Sequence, residues 1–154
     1  MNQISVILPN IRSAYNVGSI FRTGDAIGIE KIYITGYTPR PDKDKKKITK
    51  TSLGAEQSIP WEYWPQAWRL IDCLKERGYA IVALEKNKNS ADYRKFKPQY
   101  PVALILGHEV DGVSSALLKR ADQVIHLPML GLKNSLNVAS AFSVIAYHLR
   151  FAQT

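Results

Sequence analysis

Apolar positions fall into short runs whose spacing alternates between strand and helix periods along the whole chain. Gln3–Leu8 (QISVIL) predicts a first strand, followed by a polar loop over Asn10–Asn16. Val17–Ile27 places apolar residues at helical spacing and meets a stop at Gly28. Lys31–Thr35 (KIYIT) alternates as a strand does, and Trp61–Trp64 is a short aromatic strand candidate. Pro65–Arg77 predicts a helix with proline in its first turn and Gly78 beyond its end. Tyr79–Leu84 (YAIVAL) and Val102–Leu106 (VALIL) have the unbroken apolar character of strands buried on both faces. Lys86–Gln99 between them is polar and reads as a loop. Ser114–Arg120 predicts a helix capped by Ser114 or Ser115, Gln123–Leu127 a strand, and Ser135–Phe151 the last helix.

Strands alternating with helices predict an α/β fold, a parallel sheet with helices on both faces. No internal repeat or low-complexity tract interrupts it. Ligands of such sheets sit beyond the carboxyl ends of the strands. That rule points to Pro9–Asn16, Gly107–Gly112 and Pro128–Asn134, each of which directly follows a predicted strand.

Composition narrows the classes. A chain of 154 residues, 45% hydrophobic and 22% charged, fits a single globular domain over residues 1–154. Its one cysteine, Cys73, allows neither a disulfide framework nor a cysteine metal cluster, and is expected as a buried thiol on a helix. No metal site is expected. The first residues, MNQISVILPN, lack the pattern of a secretory leader, and no run approaches the roughly 20 apolar residues of a membrane span. The cytoplasm is the expected compartment.

Lysine plus arginine number 21 against 13 acids, giving +8 and an isoelectric point near 9.6. An excess of this size in a small protein suits a polyanionic partner. Half of it lies in Gly36–Lys50, where Arg40, Lys43, Lys45, Lys46, Lys47 and Lys50 face only Asp42 and Asp44. Pro39 and Pro41 argue against helix or central strand there, so the expectation is a mobile basic loop that meets phosphate backbones. With Arg12, these six are the candidate RNA-binding residues.

Three constellations carry candidate chemistry. The first is NIRSAYNVGSIFRTGDAIG, which joins a strand end to a helix start, with Asn16 as a candidate cap and Arg22 well inside the helix. On spacing alone Arg22 equally fits a side chain reaching water or pairing with Asp25. The second is Gly107–Gly112 (GHEVDG), where two glycines flank a turn and permit close backbone approach. It is neither a dinucleotide fingerprint nor a P-loop, and a plain connection with a capping acid explains it as well. The third is Leu127–Asn137 (LPMLGLKNSLN), which runs into the apolar stripe of Val138, Ala141, Phe142, Ile145 and Leu149. A helix this apolar also suits a subunit contact.

Together the three blocks resemble the SpoU/TrmH family of SPOUT RNA methyltransferases. N-x-R-S-x-x-N-V-G-S-x-F-R-T, L-G-H-E-V-x-G-V and L-P-M-x-G-x-x-x-S-L-N-V-A occur here in the family's order, with KTSLGAE (Lys50–Glu56) between the first and second. His108 stands where many relatives carry asparagine, and the expectation is a chain without the N-terminal RNA-binding extension of many relatives.

The resemblance implies a sheet whose C-terminal part forms a deep trefoil knot holding S-adenosylmethionine. It places the cofactor-binding residues at Leu106, Gly107, Ile125, Leu127, Met129, Gly131, Ser135, Leu136 and Asn137. It places the catalytic set at Arg22, Asn16, Glu109, Ser135 and Asn137. The implied reaction is methyl transfer to a ribose 2′-hydroxyl of tRNA or rRNA, by a homodimer in which Arg22 of one subunit faces the cofactor of the other. The competing readings are a non-catalytic RNA-binding module of the same fold, and methylation of an RNA base.

Overall fold

The computed structural model describes residues 1–152. Seven strands form one sheet: β1 (Ile4–Pro9), β2 (Lys31–Thr35), β3 (Trp61–Trp64), β4 (Ala80–Leu84), β5 (Ala91–Asp92), β6 (Val102–Ile105) and β7 (Gln123–His126). Their order is β3-β2-β1-β6-β4-β7-β5, and every recorded pairing is parallel. The helices are α1 (Ala14–Ile27), α2 (Lys45–Ser52), α3 (Ala55–Ser58), α4 (Ala67–Glu76), α5 (Ser115–Arg120) and α6 (Val138–Phe151).

Side-chain alternation along the strands builds two cores, one on each face. Val6, Leu8, Ile34, Val82 and Leu104 point to one face and pack with Phe21 of α1, Ile48 of α2 and Phe142 of α6. Ile7, Tyr33, Ile81, Ala83 and Ile105 point to the other and meet Leu70 and Leu74 of α4 and Leu117 of α5. β4 and β6 are apolar at every position because both sides are covered. The α/β expectation therefore holds, with helices on both faces.

Local chemistry sets the element ends. Ser13, not Asn16, caps α1: its hydroxyl accepts from the Asn16 amide at 3.3 Å, which puts Asn16 inside the first turn. Gly28 ends α1 in the left-handed conformation, φ 66°, which a side chain would resist. The last helix begins three positions later than its apolar pattern suggests, because Asn137 is the cap and Ser135 lies before it.

The basic segment departs from the loop expected of it. Pro39 and Pro41 bar helix only up to residue 41. Beyond them Lys45–Ser52 forms α2, anchored by the fully buried Ile48. The preceding turn is also held: the Arg40 amide donates to Asp44, and its guanidinium pairs with Asp42 and stacks 4.1 Å from the Tyr63 ring centre. Within the polar stretch 86–99, Ala91–Asp92 adds a two-residue edge strand against β7. Cys73 lies half-buried on α4. Among the described residues no helix is long and apolar enough to cross a membrane.

Candidate active site

Two loops that the sequence separates by more than ninety residues meet at the Glu109 carboxylate, and a third joins them through Asn16. Its Oε2 accepts from the Arg12 amide at 2.9 Å; its Oε1 accepts from the Ser13 amide at 3.1 Å and from Asn16 Nδ2 at 3.0 Å. A carboxylate only accepts, so Asn16 must turn its NH2 toward Glu109 and its oxygen away. That oxygen receives Asn137 Nδ2 at 3.0 Å. The remaining Asn137 oxygen caps α6, accepting from the amides of Ala139 (2.9 Å) and Ser140 (3.2 Å). Every amide orientation in the series is thus fixed by its neighbour.

Charge placement agrees with this geometry. Glu109 sits at the N-terminus of α1, where free amides and the helix dipole favour an anion. Burial alone would push its carboxyl up. The hydrogen bonds from Arg12, Asn16 and Ser13 together outweigh burial and hold it below the usual glutamate value.

Beside this junction, beyond the ends of β4, β6 and β7, lies a cleft of about 490 Å³. Its walls include Leu84, Leu106, Val113, Leu127, Met129 and Val138. The loop after β6 folds back on itself there. His108 and Gly112 exchange backbone hydrogen bonds at 3.1 and 3.0 Å, and a Cβ on Gly107 would come within 2.8 Å of the Gly112 carbonyl carbon. Gly107 therefore makes room for the protein's own backbone. His108 Nδ1 accepts from the amides of Val110 and Asp111, both at 3.0 Å, so it is the bare nitrogen of a neutral ring. Its 3.6 Å approach to the Asp111 carboxylate is accordingly no ion pair. Glu85 closes the loop from the other side, accepting from the Val113 amide at 2.7 Å.

Of the residues nominated for the cofactor, Leu106, Gly107, Leu127, Met129, Ser135, Leu136 and Asn137 line this cleft. Two do not. The Ile125 side chain is core, fully buried, and its carbonyl accepts from the Glu85 amide at 3.0 Å. Gly131 lies on the exposed arm before α6, with nothing within 4 Å of where a Cβ would stand. Of the catalytic set, Asn16, Glu109 and Asn137 converge, and Ser135 lines the cleft without joining their hydrogen bonds. Arg22 is elsewhere: exposed on α1, in a shallow depression shared with Lys50, Thr51, Ser143 and Tyr147. Among the described residues its guanidinium has no ion-pair partner, and Asp25 is engaged instead by the Ser58 hydroxyl at 2.8 Å. Lys50, which shares that depression, carries its ammonium 6.0 Å from the Tyr15 ring, so part of the basic segment and Arg22 face the same way.

The cleft also takes Glu85, Lys86 and Asn87, which follow β4, and His126 at the end of β7. The same strand-end rule would have found the first three had it been applied to YAIVAL. The lining's charge is uneven: Glu85, Glu109 and Asp111 against Lys86. Apolar walls with an acidic rim suit a ligand that combines a flat apolar ring with a positive centre.

Residues 3–147 match the SpoU rRNA Methylase family. The chain is 35% identical over 144 residues to a putative TrmH family tRNA/rRNA methyltransferase of Staphylococcus saprophyticus, covering 94% of this chain and 57% of that protein. It is 31% identical over 144 residues to the tRNA (guanosine(18)-2′-O)-methyltransferase of Thermus thermophilus, covering 94% and 72%. The fold superposes on the AdoMet-bound rRNA methyltransferase from Sinorhizobium meliloti with a TM-score of 0.89 at 28% identity, over 97% of this chain and 57% of that one. The chain thus spans little more than half the length of the staphylococcal relative.

Proposed function

The chain belongs to the SpoU rRNA methylase family, and we propose that it methylates a ribose 2′-hydroxyl of tRNA or rRNA with S-adenosylmethionine as donor. One observation carries this reading: the Glu109–Asn16–Asn137 series locks the three motif loops around an apolar cleft with an acidic rim. The relatives named for tRNA or rRNA methylation and the AdoMet-bound neighbour support it. In this reading the compartment is the cytoplasm.

The cleft residues fit the donor. Leu106, Leu127 and Met129 offer walls for adenine, and the carboxylates of Glu85, Glu109 and Asp111 favour a sulfonium over an anion. S-adenosylmethionine held by these residues would supply the methyl group for transfer, with its sulfonium sulfur as the leaving thioether. Fixing the acceptor oxygen in line with the methyl group would supply much of the rate. Arg22, always charged, is a poor base. Its role in this reading is to bind the neighbouring phosphate and the developing alkoxide, easing proton loss to that phosphate or to water. The Arg12, Arg40 and Lys43–Lys50 cations attract the backbone of the substrate.

The active form in this reading is a homodimer. Arg22 lies outside its own subunit's cleft, and α6 leaves Val144, Tyr147 and Phe151 exposed near the α1 surface that carries Arg22. An isologous contact over this surface brings each Arg22 to the partner's cleft. A C-terminal trefoil knot is part of the same reading. The strand order supports it, with β6 inserted between β1 and β4, and β7 returning beyond β4 before α6 packs on α1.

The test is an Arg22→Ala variant. It is expected to bind S-adenosylmethionine as the wild type does, by calorimetry, and to lose transfer of labelled methyl to RNA. Retained transfer would remove Arg22 from the mechanism.

A further inference from the structure

A second cleft, of about 480 Å³, opens at the same end of the sheet on the side of α4 and α5. It lies beyond the ends of β1, β2 and β3, between Asn10, Gly36, Gln66, Trp68 and Arg120. Nothing in the methyl-transfer reading uses it. Arg120 is the charged residue among those lining it, and no carboxylate is among them.

Trp68 is the unusual member. It is 42% exposed, although burial of so large an aromatic is worth more than that of any other side chain. Two guanidinium groups flank it, Arg69 at 5.2 Å and Arg120 at 5.4 Å from the ring centre. Asp72 holds Arg120 in place at 3.2 Å while leaving it 35% exposed. On the opposite wall Asn10 sits at a positive φ of 54°. Its oxygen is taken by the Tyr37 amide at 3.0 Å, so Nδ2 is the group left to meet a ligand. Gln66 offers a second amide, since its side chain makes no capping bond to α4.

An exposed indole between cations, with amide groups opposite, matches an unpaired nucleotide: base on ring, phosphate on guanidinium, base edge on amides. The location agrees. Asn10 opens the loop whose Arg12 and Ser13 amides hold Glu109, and Gly36 opens the basic segment.

We propose that this cleft is a nucleotide subsite for single-stranded RNA, with one base stacked on Trp68 and its phosphate on Arg120 and Arg69. The proposal rests on the RNA methyltransferase reading and names where its substrate is held away from the reacting ribose.

The test uses the full chain with oligouridylate and with inorganic polyphosphate as probes, and S-adenosylmethionine affinity as the control for folding. Trp68→Leu, which keeps apolar bulk but not the ring face, is expected to weaken oligouridylate binding roughly tenfold, in line with the loss of one stacked base. Polyphosphate and S-adenosylmethionine affinities should stay within error. Trp68→Tyr, which keeps a ring, should restore most of the oligouridylate affinity. If oligouridylate binds the wild type and Trp68→Leu equally, the subsite is refuted while the RNA reading stands; a cleft made for a protein partner would give that result. If oligouridylate fails to bind the wild type while S-adenosylmethionine binds, the subsite is refuted, and methyl transfer to tRNA and rRNA decides the RNA reading separately.

Discussion

Glu109 Oε1 stands 3.0 Å from Asn16 Nδ2, joining the loop after β6 to the first turn of α1 across 93 positions of sequence. The same carboxylate holds two further amides, so it meets three donors and offers only acceptors. Glu109→Gln keeps the shape but turns one end into a donor facing a donor. The expected cost is about 1–3 kcal/mol of unfolding free energy, toward the lower end because solvent reaches the site.

The same pair sets an acid dependence. The folded carboxyl lies below its ordinary value, so its contribution is fully present above the ordinary glutamate range and is lost as pH falls through the lowered folded value. Urea unfolding of the wild type and Glu109→Gln should therefore converge in acid. A gap between them that does not change with pH would contradict the assignment.

Gly18 is placed by packing between helices. A Cβ there would stand 2.1 Å from Thr51 Oγ1 and 2.3 Å from the Ile48 carbonyl oxygen, and the second of these is backbone that cannot swing away. Gly18→Ala should force α1 and α2 apart at a cost of about 3 kcal/mol, read as a lower Tm. An unchanged Tm would mean that the two helices are not held this closely.

His108 shapes the second loop through an unprotonated Nδ1 that takes two amides. An asparagine oxygen can occupy nearly the same position. His108→Asn should keep S-adenosylmethionine affinity within a few-fold. His108→Leu strands both amides and should weaken it by about 1–3 kcal/mol in calorimetry. Equal affinities in the two variants would show that the ring acts by bulk alone.

Much of this was legible in sequence. Lys31–Thr35 and Trp61–Trp64 alternate or cluster cleanly and are strands over those residues. The strand-end rule led to all three motif loops. The helix over Lys45–Ser52 was hidden because only Ile48 and Ser52 of its residues are buried, too few to show a period, and because the two prolines lie just before it. The place of Glu109 was hidden for another reason. Its partners come from the other end of the chain, and no local pattern encodes a contact made by the sheet's parallel order. Gly131 shows the reverse: the resemblance places it at the cofactor, yet in the single chain nothing lies within 4 Å of where its Cβ would stand.

Arg22 outside its own cleft makes the mixed-subunit experiment informative. Gly107→Val should close the cleft by collision with the Gly112 backbone, and Arg22→Ala should leave it intact. Each variant alone is expected to be inactive. Co-expressed, half of randomly paired dimers carry one complete site, so activity should return to roughly a quarter of wild type. No recovery would place Arg22 and the cleft of the same subunit in one site.

The central claim is the chemical position of the methyl group. The purified protein should be incubated with S-adenosylmethionine and unmodified tRNA and rRNA, the RNA digested to nucleosides, and the products identified by mass spectrometry. The account predicts a 2′-O-methylnucleoside that disappears with Arg22→Ala. A methyl group on a base, or none despite bound S-adenosylmethionine, would contradict it.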